Sequence, residues 1–120
     1  DGIREQPRSR GLGDVYKRQT PNNAGVPDGM TVDADDCIWS ARWDGWALYR
    51  YDADGEEIDR INFEVKKVSC PTFGGTNYED IYVTTAGGED PDNNGTFAGG
   101  LFKLKSFAKG KEEYRSKIEI

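Results

Sequence analysis

From Pro21 onward, apolar and polar residues alternate in short runs, and clusters of Asp, Gly, Asn and Pro separate the runs. Met30 and Val32 alternate with Thr31 and Asp33, residues 34–36 make a turn, and residues 37–42 make a second strand. Asp44-Gly45, flanked by Trp43 and Trp46, carries a hairpin signal, because both residue types accept the positive φ that tight hairpin turns require. A third strand follows over residues 47–51, a turn over 52–55, and a weaker fourth strand over 57–63, where Ile61 and Phe63 alternate. The period of two predicts antiparallel strands rather than long helices.

The layout then recurs. Ile38-Trp39 matches Ile81-Tyr82 at an offset of 43, Met30 falls on Phe73 at that same offset, and Leu48-Tyr49-Arg50 matches Leu101-Phe102-Lys103 at an offset of 53. The difference is a longer loop, residues 86–98, between the second and third strands of the second unit. That unit begins at residues 70–75, turns at 76–79, and continues through 80–85 and 99–104; residues 112–120 are either its closing strand or a frayed end. Gly74-Gly75 inside a strand pattern predicts a bulge or a close backbone approach. Four strands in about forty residues, repeated, is the signature of propeller blades. The expected fold class is therefore all-β, with two four-stranded blades, about 26–65 and 68–118, of a β-propeller whose ring is incomplete. Exposed edges and sheet faces predict marginal stability for the isolated chain.

Composition narrows the picture further. Apolar residues make up 35% of the 120 positions, below the usual globular share of roughly 45–50%, so the core is thin. The balance of 16 Lys and Arg against 22 Asp and Glu gives a net charge of −6, which argues against a nucleic-acid backbone as partner. No apolar run is long enough to cross a membrane and no secretion signal is visible, so the expected location is cytoplasmic. Cys37 and Cys70 are too few for a disulfide framework, and without histidine they cannot build a zinc site; both are expected to be reduced, packed thiols.

Residues 1–19 differ from the rest, with no strand or helix period and with three acids (Asp1, Glu5, Asp14) against five bases (Arg4, Arg8, Arg10, Lys17, Arg18). They read as a disordered basic tail. The favoured reading is a different one: Asp14-Val15-Tyr16-Lys17-Arg18-Gln19 resembles the translation of a transposon-end sequencing adaptor, which makes residues 1–19 an assembly scar and residues 20–120 the C-terminal part of a longer protein.

The residue singled out for chemistry is Asp28, in Pro27-Asp28-Gly29-Met30. Taken alone, the tetrapeptide is ordinary turn chemistry. Asp90-Pro91-Asp92-Asn93-Asn94-Gly95 opens like a calcium loop, but Leu101 stands where the bidentate glutamate belongs, so a solvated polar loop is expected. Residues 33–36 and 52–57 are expected to be hairpin turns rather than ligands. Trp39, Trp43 and Trp46 can line a sugar pocket or pack between sheets; the blade pattern favours packing, with the alternative that one of Trp43 and Trp46, which lie in a turn, is exposed. No serine or cysteine has a histidine partner, which excludes triad chemistry.

Four motifs in order change the weight given to Asp28. Val26-Pro27-Asp28-Gly29-Met30, Ile38-Trp39-Ser40-Ala41, Phe73-Gly74-Gly75-Thr76-Asn77-Tyr78-Glu79-Asp80-Ile81-Tyr82-Val83-Thr84 and Ala98-Gly99-Gly100-Leu101-Phe102 together resemble the C-terminal third of the senescence marker protein, regucalcin and gluconolactonase family. The resemblance covers roughly residues 21–114. It implies a six-bladed propeller that hydrolyses sugar lactones with a divalent metal in its central channel: calcium, magnesium, zinc or manganese. It also implies that Asp28 is a metal ligand and possible general base, the family's other two ligands, a glutamate and an asparagine, lying outside this stretch. A hard cation takes oxygen donors, which a carboxylate on a fixed backbone supplies. A non-enzymatic propeller that binds calcium or protein partners is the alternative, since the fold hosts both kinds.

Overall fold

The structure, a computed structural model, describes residues 25–112 and 114. The expectations for residues 1–19 lie outside that range. Among the described residues, seven strands form two antiparallel sheets and no closed barrel. The first sheet pairs β1 (Val26–Val32), β2 (Ile38–Trp43), β3 (Ala47–Tyr51) and β4 (Glu57–Asn62) in chain order. The second pairs β5 (Lys67–Gly74), β6 (Asp80–Ala86) and β7 (Leu101–Lys105), with a 3-10 turn at Thr76–Tyr78 and a short helix, α1 (Pro91–Asn94), in the long loop. The predicted closing strand over 112–120 lies outside the described residues save Glu112 and Tyr114, which are in no strand.

Local chemistry accounts for the turns. The Asp52 carboxylate accepts hydrogen bonds from the backbone N–H of Asp54 (2.9 Å) and Glu56 (3.0 Å), closing the β3–β4 hairpin as an Asx-type turn. Asp44 takes φ +64° in the β2–β3 turn, a conformation Asp tolerates better than most residues. Of the two alternatives expected at Gly74-Gly75, the structure has the second: a side chain at Gly74 would crowd the Tyr82 ring at 3.0 Å, while the register slip of β5 falls between Val68 and Cys70. The close approach is there, and the bulge lies earlier in the strand.

The main core sits between the sheets. Trp39, Ala41 and Leu48 of the first meet Val68, Phe73, Ile81 and Val83 of the second, with Phe63 and Val65 from the connection. Trp39 packs edge-on against Phe73 at 6.1 Å and Phe63 edge-on against Phe102 at 5.4 Å. A second cluster, Ile38, Ala47, Tyr49 and Tyr51, lies on the opposite face of the first sheet. Positions matched by the sequence repeat occupy corresponding faces: Ile38 and Ile81 point one way in their sheets, Trp39 and Tyr82 the other. Leu48 is fully buried beneath the second sheet, whereas its counterpart Leu101 is 68% exposed on a face that no third sheet covers among the described residues.

One buried carboxylate ties the far end together. Asp33 was expected only to serve a turn, yet it is completely buried. Its oxygens accept from Asp35 N–H (2.9 Å), Cys37 N–H (3.1 Å), the Trp39 indole Nε1 (2.9 Å) and Arg50 Nε (2.8 Å). Arg50 also reaches Asp59 at 3.1 Å and Asp35 at 3.2 Å. Burial works against the Arg50 charge, but the hydrogen bonds to Asp33 and Asp59 outweigh it and raise the guanidinium above its usual range. A raised pKa means that this stabilisation is complete below the ordinary arginine pKa and fades only at higher pH. Beyond β7, Ala34 N–H donates to Lys109 C=O (2.7 Å) and Gly110 N–H to Tyr78 C=O (2.8 Å), so the chain returns across both sheets here.

Substituting Asp33→Ala leaves Arg50 buried without its main partner and costs about 3–5 kcal/mol, measured by urea unfolding. Arg60→Ala, which removes a half-exposed i,i+3 pair with Glu57, costs under about 1 kcal/mol by the same measurement.

Candidate functional site

Asp28 sits at the other end of β1 from Asp33. Residues 27–30 were expected to form a turn, and the structure corrects this: they lie inside β1, with Pro27 paired to Arg42 and Met30 to Ser40. Asp28 and Gly29 together stand opposite Ala41, which is a β-bulge. Turn residues suit a bulge for the same physical reason, since the extra residue leaves the ladder and the local twist tightens. Displaced from the regular alternation, Asp28 is exposed.

A second irregularity faces it. β5 slips register between Val68 and Cys70, leaving Ser69 outside the ladder. The two strands approach so closely that a Cβ on Gly29 would lie 2.6 Å from Cys70 Sγ and 2.8 Å from the Ser69 carbonyl oxygen. Gly29 is therefore required by space. Ser69 Oγ and Thr84 Oγ1 share a hydrogen bond of 2.6 Å, and Thr84 also reaches the Cys70 carbonyl at 3.3 Å, which fixes the slipped backbone.

The two cysteines part company. Both are free thiols, but Cys37 is buried while Cys70 is exposed, against the expectation that both are packed. Although Cys70 as a residue meets solvent, its sulfur lies along the Gly29 backbone. That partial desolvation, and secondly the nearby Asp28 charge, raise its pKa. Cys37 is raised by burial first and by Asp33 second. Sequence reasoning missed the Asp28–Cys70 neighbourhood because it depends on contact between strands of different sheets.

The same end carries the β2–β3 turn, since Val26 pairs with Trp43 at the strand edge. The Lys67 ammonium contacts the Asp44 carboxylate and lies 4.9 Å from the Trp43 ring centre. Trp39 is core, Trp43 is half-buried, and Trp46 is exposed. In the long loop, Asn93 donates to Asp90 (2.7 Å) and Asn94 to the Gly87 carbonyl (3.3 Å), so these side chains brace a solvated loop. Among the described residues, no group of three or more His, Cys, Asp or Glu side chains is arranged to hold a metal ion. Asp28 thus fits a hard cation as one oxygen donor, and the described residues do not supply the remaining donors. No helix among them is long and apolar enough to cross a membrane.

Comparison with known proteins gives a consistent result. Residues 9–87 match the family model described as SMP-30/Gluconolactonase/LRE-like region. Pentonolactonase XacC of Haloferax volcanii is 43% identical over 109 residues, covering 85% of this chain and 38% of that protein. Human regucalcin is 36% identical over 94 residues, covering 75% of this chain and 31% of its own length. Among solved structures, a calcium-binding protein, regucalcin, from Agrobacterium tumefaciens superposes with a TM-score of 0.71 at 33% identity, covering 81% of this chain and 34% of its own. A luciferin-regenerating enzyme superposes with a TM-score of 0.68 at 25% identity, covering 85% and 34% respectively. The chain spans about a third of the length of these relatives.

Two outcomes follow from the packing around Asp28. Gly29→Ala destabilises by about 1–3 kcal/mol in denaturant unfolding, because the clash includes backbone that cannot move aside. Iodoacetamide labels Cys70 in the folded chain and Cys37 only after unfolding, and Asp28→Asn speeds Cys70 labelling near neutral pH by removing the charge that opposes the thiolate; mass spectrometry of the labelled peptides reads both.

Proposed function

The chain belongs to the SMP-30/Gluconolactonase/LRE-like family, and from that premise we propose that it forms part of a divalent-metal-dependent lactonase that opens the ester ring of a sugar lactone. The observation that carries this is the 43% identity to a pentonolactonase across 85% of the chain. A lactone acid-sugar substrate is its natural reading, with five-carbon lactones the first to try.

Residues 20–120 are read as two neighbouring blades of a six-bladed propeller, toward the C-terminal end of the longer protein. The repeat with corresponding faces supports this, as does the exposed Leu101, whose counterpart Leu48 is covered by the next sheet. Asp28 is the residue of this chain that holds the cation. Calcium, magnesium, zinc or manganese, when bound, would polarise the lactone carbonyl and acidify a water. The Asp28 carboxylate holds its donor oxygen in place through the bulge and takes up the proton of the attacking water. Gly29 and Cys70 keep the bulge in register by contact. Because the described residues do not supply the rest of the donor set, the isolated chain is read as inactive.

A second reading, a non-enzymatic calcium-binding propeller, is favoured by the likeness to regucalcin, described in Agrobacterium tumefaciens as a calcium-binding protein. The two readings separate on turnover. Residues 20–120 grafted in place of the matching segment of the Haloferax pentonolactonase are expected to give a protein that hydrolyses a pentono-1,4-lactone only with divalent metal. Asp28→Ala in that graft lowers kcat/KM by about 100-fold or more without unfolding it. A folded graft that binds calcium and turns over no lactone supports the binding protein instead.

A further inference from the structure

Several bulky or polar side chains adopt positive φ, and one of them is unexplained by the fold. Asp36, Asp44 and Asn77 are of types that tolerate the left-handed region. Tyr78, at φ +57°, packs against the main core, which offsets its backbone cost. Trp46, at φ +58°, belongs to neither buried cluster, stacks on no ring among the described residues, and is 40% exposed.

The backbone pins this conformation from both sides. Trp46 N–H donates to the Lys66 carbonyl at 3.1 Å, and the Trp46 carbonyl accepts from Phe63 N–H at 2.8 Å. Glycine would make the same two bonds without strain. A bulky aromatic held in an unfavourable backbone region, outside both buried clusters and 40% exposed, is the kind of outlier that points to a ligand contact. It stands on the β2–β3 turn, at the end of the sheets that carries Asp28.

We propose that Trp46 is a sugar-binding residue: its exposed indole face packs against the apolar C–H face of a sugar ring at the rim of the Asp28 site. The chemistry is that of an aromatic surface with a polar N–H edge, which suits a ligand that is apolar on its faces and hydroxylated at its edges. The proposal rests on the lactonase reading only for the class of ligand. Phe97 is also exposed, at 62%, but it shows no positive φ, so no backbone cost marks it out.

The test is an NMR titration of the 120-residue chain with D-xylose and, separately, with a pentono-1,4-lactone, following the three indole N–H signals. The Trp46 signal is expected to shift saturably while that of the buried Trp39 stays fixed. Trp46→Gly weakens binding about tenfold or more with a melting temperature no lower by more than a few degrees, and Trp46→Tyr restores most of it. Absence of binding in the unaltered chain, equal binding by Trp46→Gly, or equal losses in the Gly and Tyr variants overturns the proposal. Turnover by the graft described above is read separately: unchanged KM in an active Trp46→Gly graft rejects Trp46 and leaves the lactonase, whereas Trp46-dependent sugar binding without turnover keeps Trp46 and rejects the lactonase.

Discussion

The carboxylate of Asp33 is the interaction on which the rest depends. It closes the β1–β2 turn through two backbone amides, orients the Trp39 indole toward the second sheet, and neutralises Arg50 inside the first. A fully buried carboxylate is tolerated only when its lone pairs are filled and its charge is matched, and here both conditions are met. Arg50 lies 5.6 Å from the Trp39 ring centre and 5.8 Å from that of Phe107, so the ion pair is wrapped in aromatic surface. With Trp39 placed, the contact with Phe73 follows, and with it the packing of the two sheets. A thin core needs such a fixed point.

That packing is what makes the opposite end of β1 specific. The sheets close to a distance at which only glycine fits between Asp28 and the β5 backbone. The Asp28 carboxylate therefore rides on a bulge wedged against Ser69 and Cys70, and its position is set by backbone and not by rotamer choice alone. The strand thus carries its structural anchor at one end and its candidate chemistry at the other. Four residues of β1 separate Asp28 from Asp33, and three of them, Met30, Thr31 and Val32, are paired with β2.

Much of the fold is legible in the sequence because it is local. Residues 47–51 were predicted as a strand with the bounds observed, and the other strands differ by a few residues at their ends, where pairing and not propensity decides. Asp33 was read as a turn residue because its partners Trp39 and Arg50 lie one and two hairpins away, and no periodicity reports a buried ion pair. Residues 27–30 were read as a turn because Pro, Asp and Gly serve turns and bulges alike; only the pairing of both flanks with β2 separates the two. The setting of Cys70 was similarly opaque because it depends on a neighbouring sheet, and although Trp46 was named as able to line a sugar pocket, its positive φ was not legible.

The most direct measurement is a crystal structure of the graft soaked with manganese, with the anomalous map calculated at the metal's absorption edge. The account predicts a peak within bonding distance of an Asp28 carboxylate oxygen, beside the bulge, completed by donors from outside the described residues. A clean map at Asp28 under saturating manganese, or a peak in the Asp90–Gly95 loop instead, would contradict it.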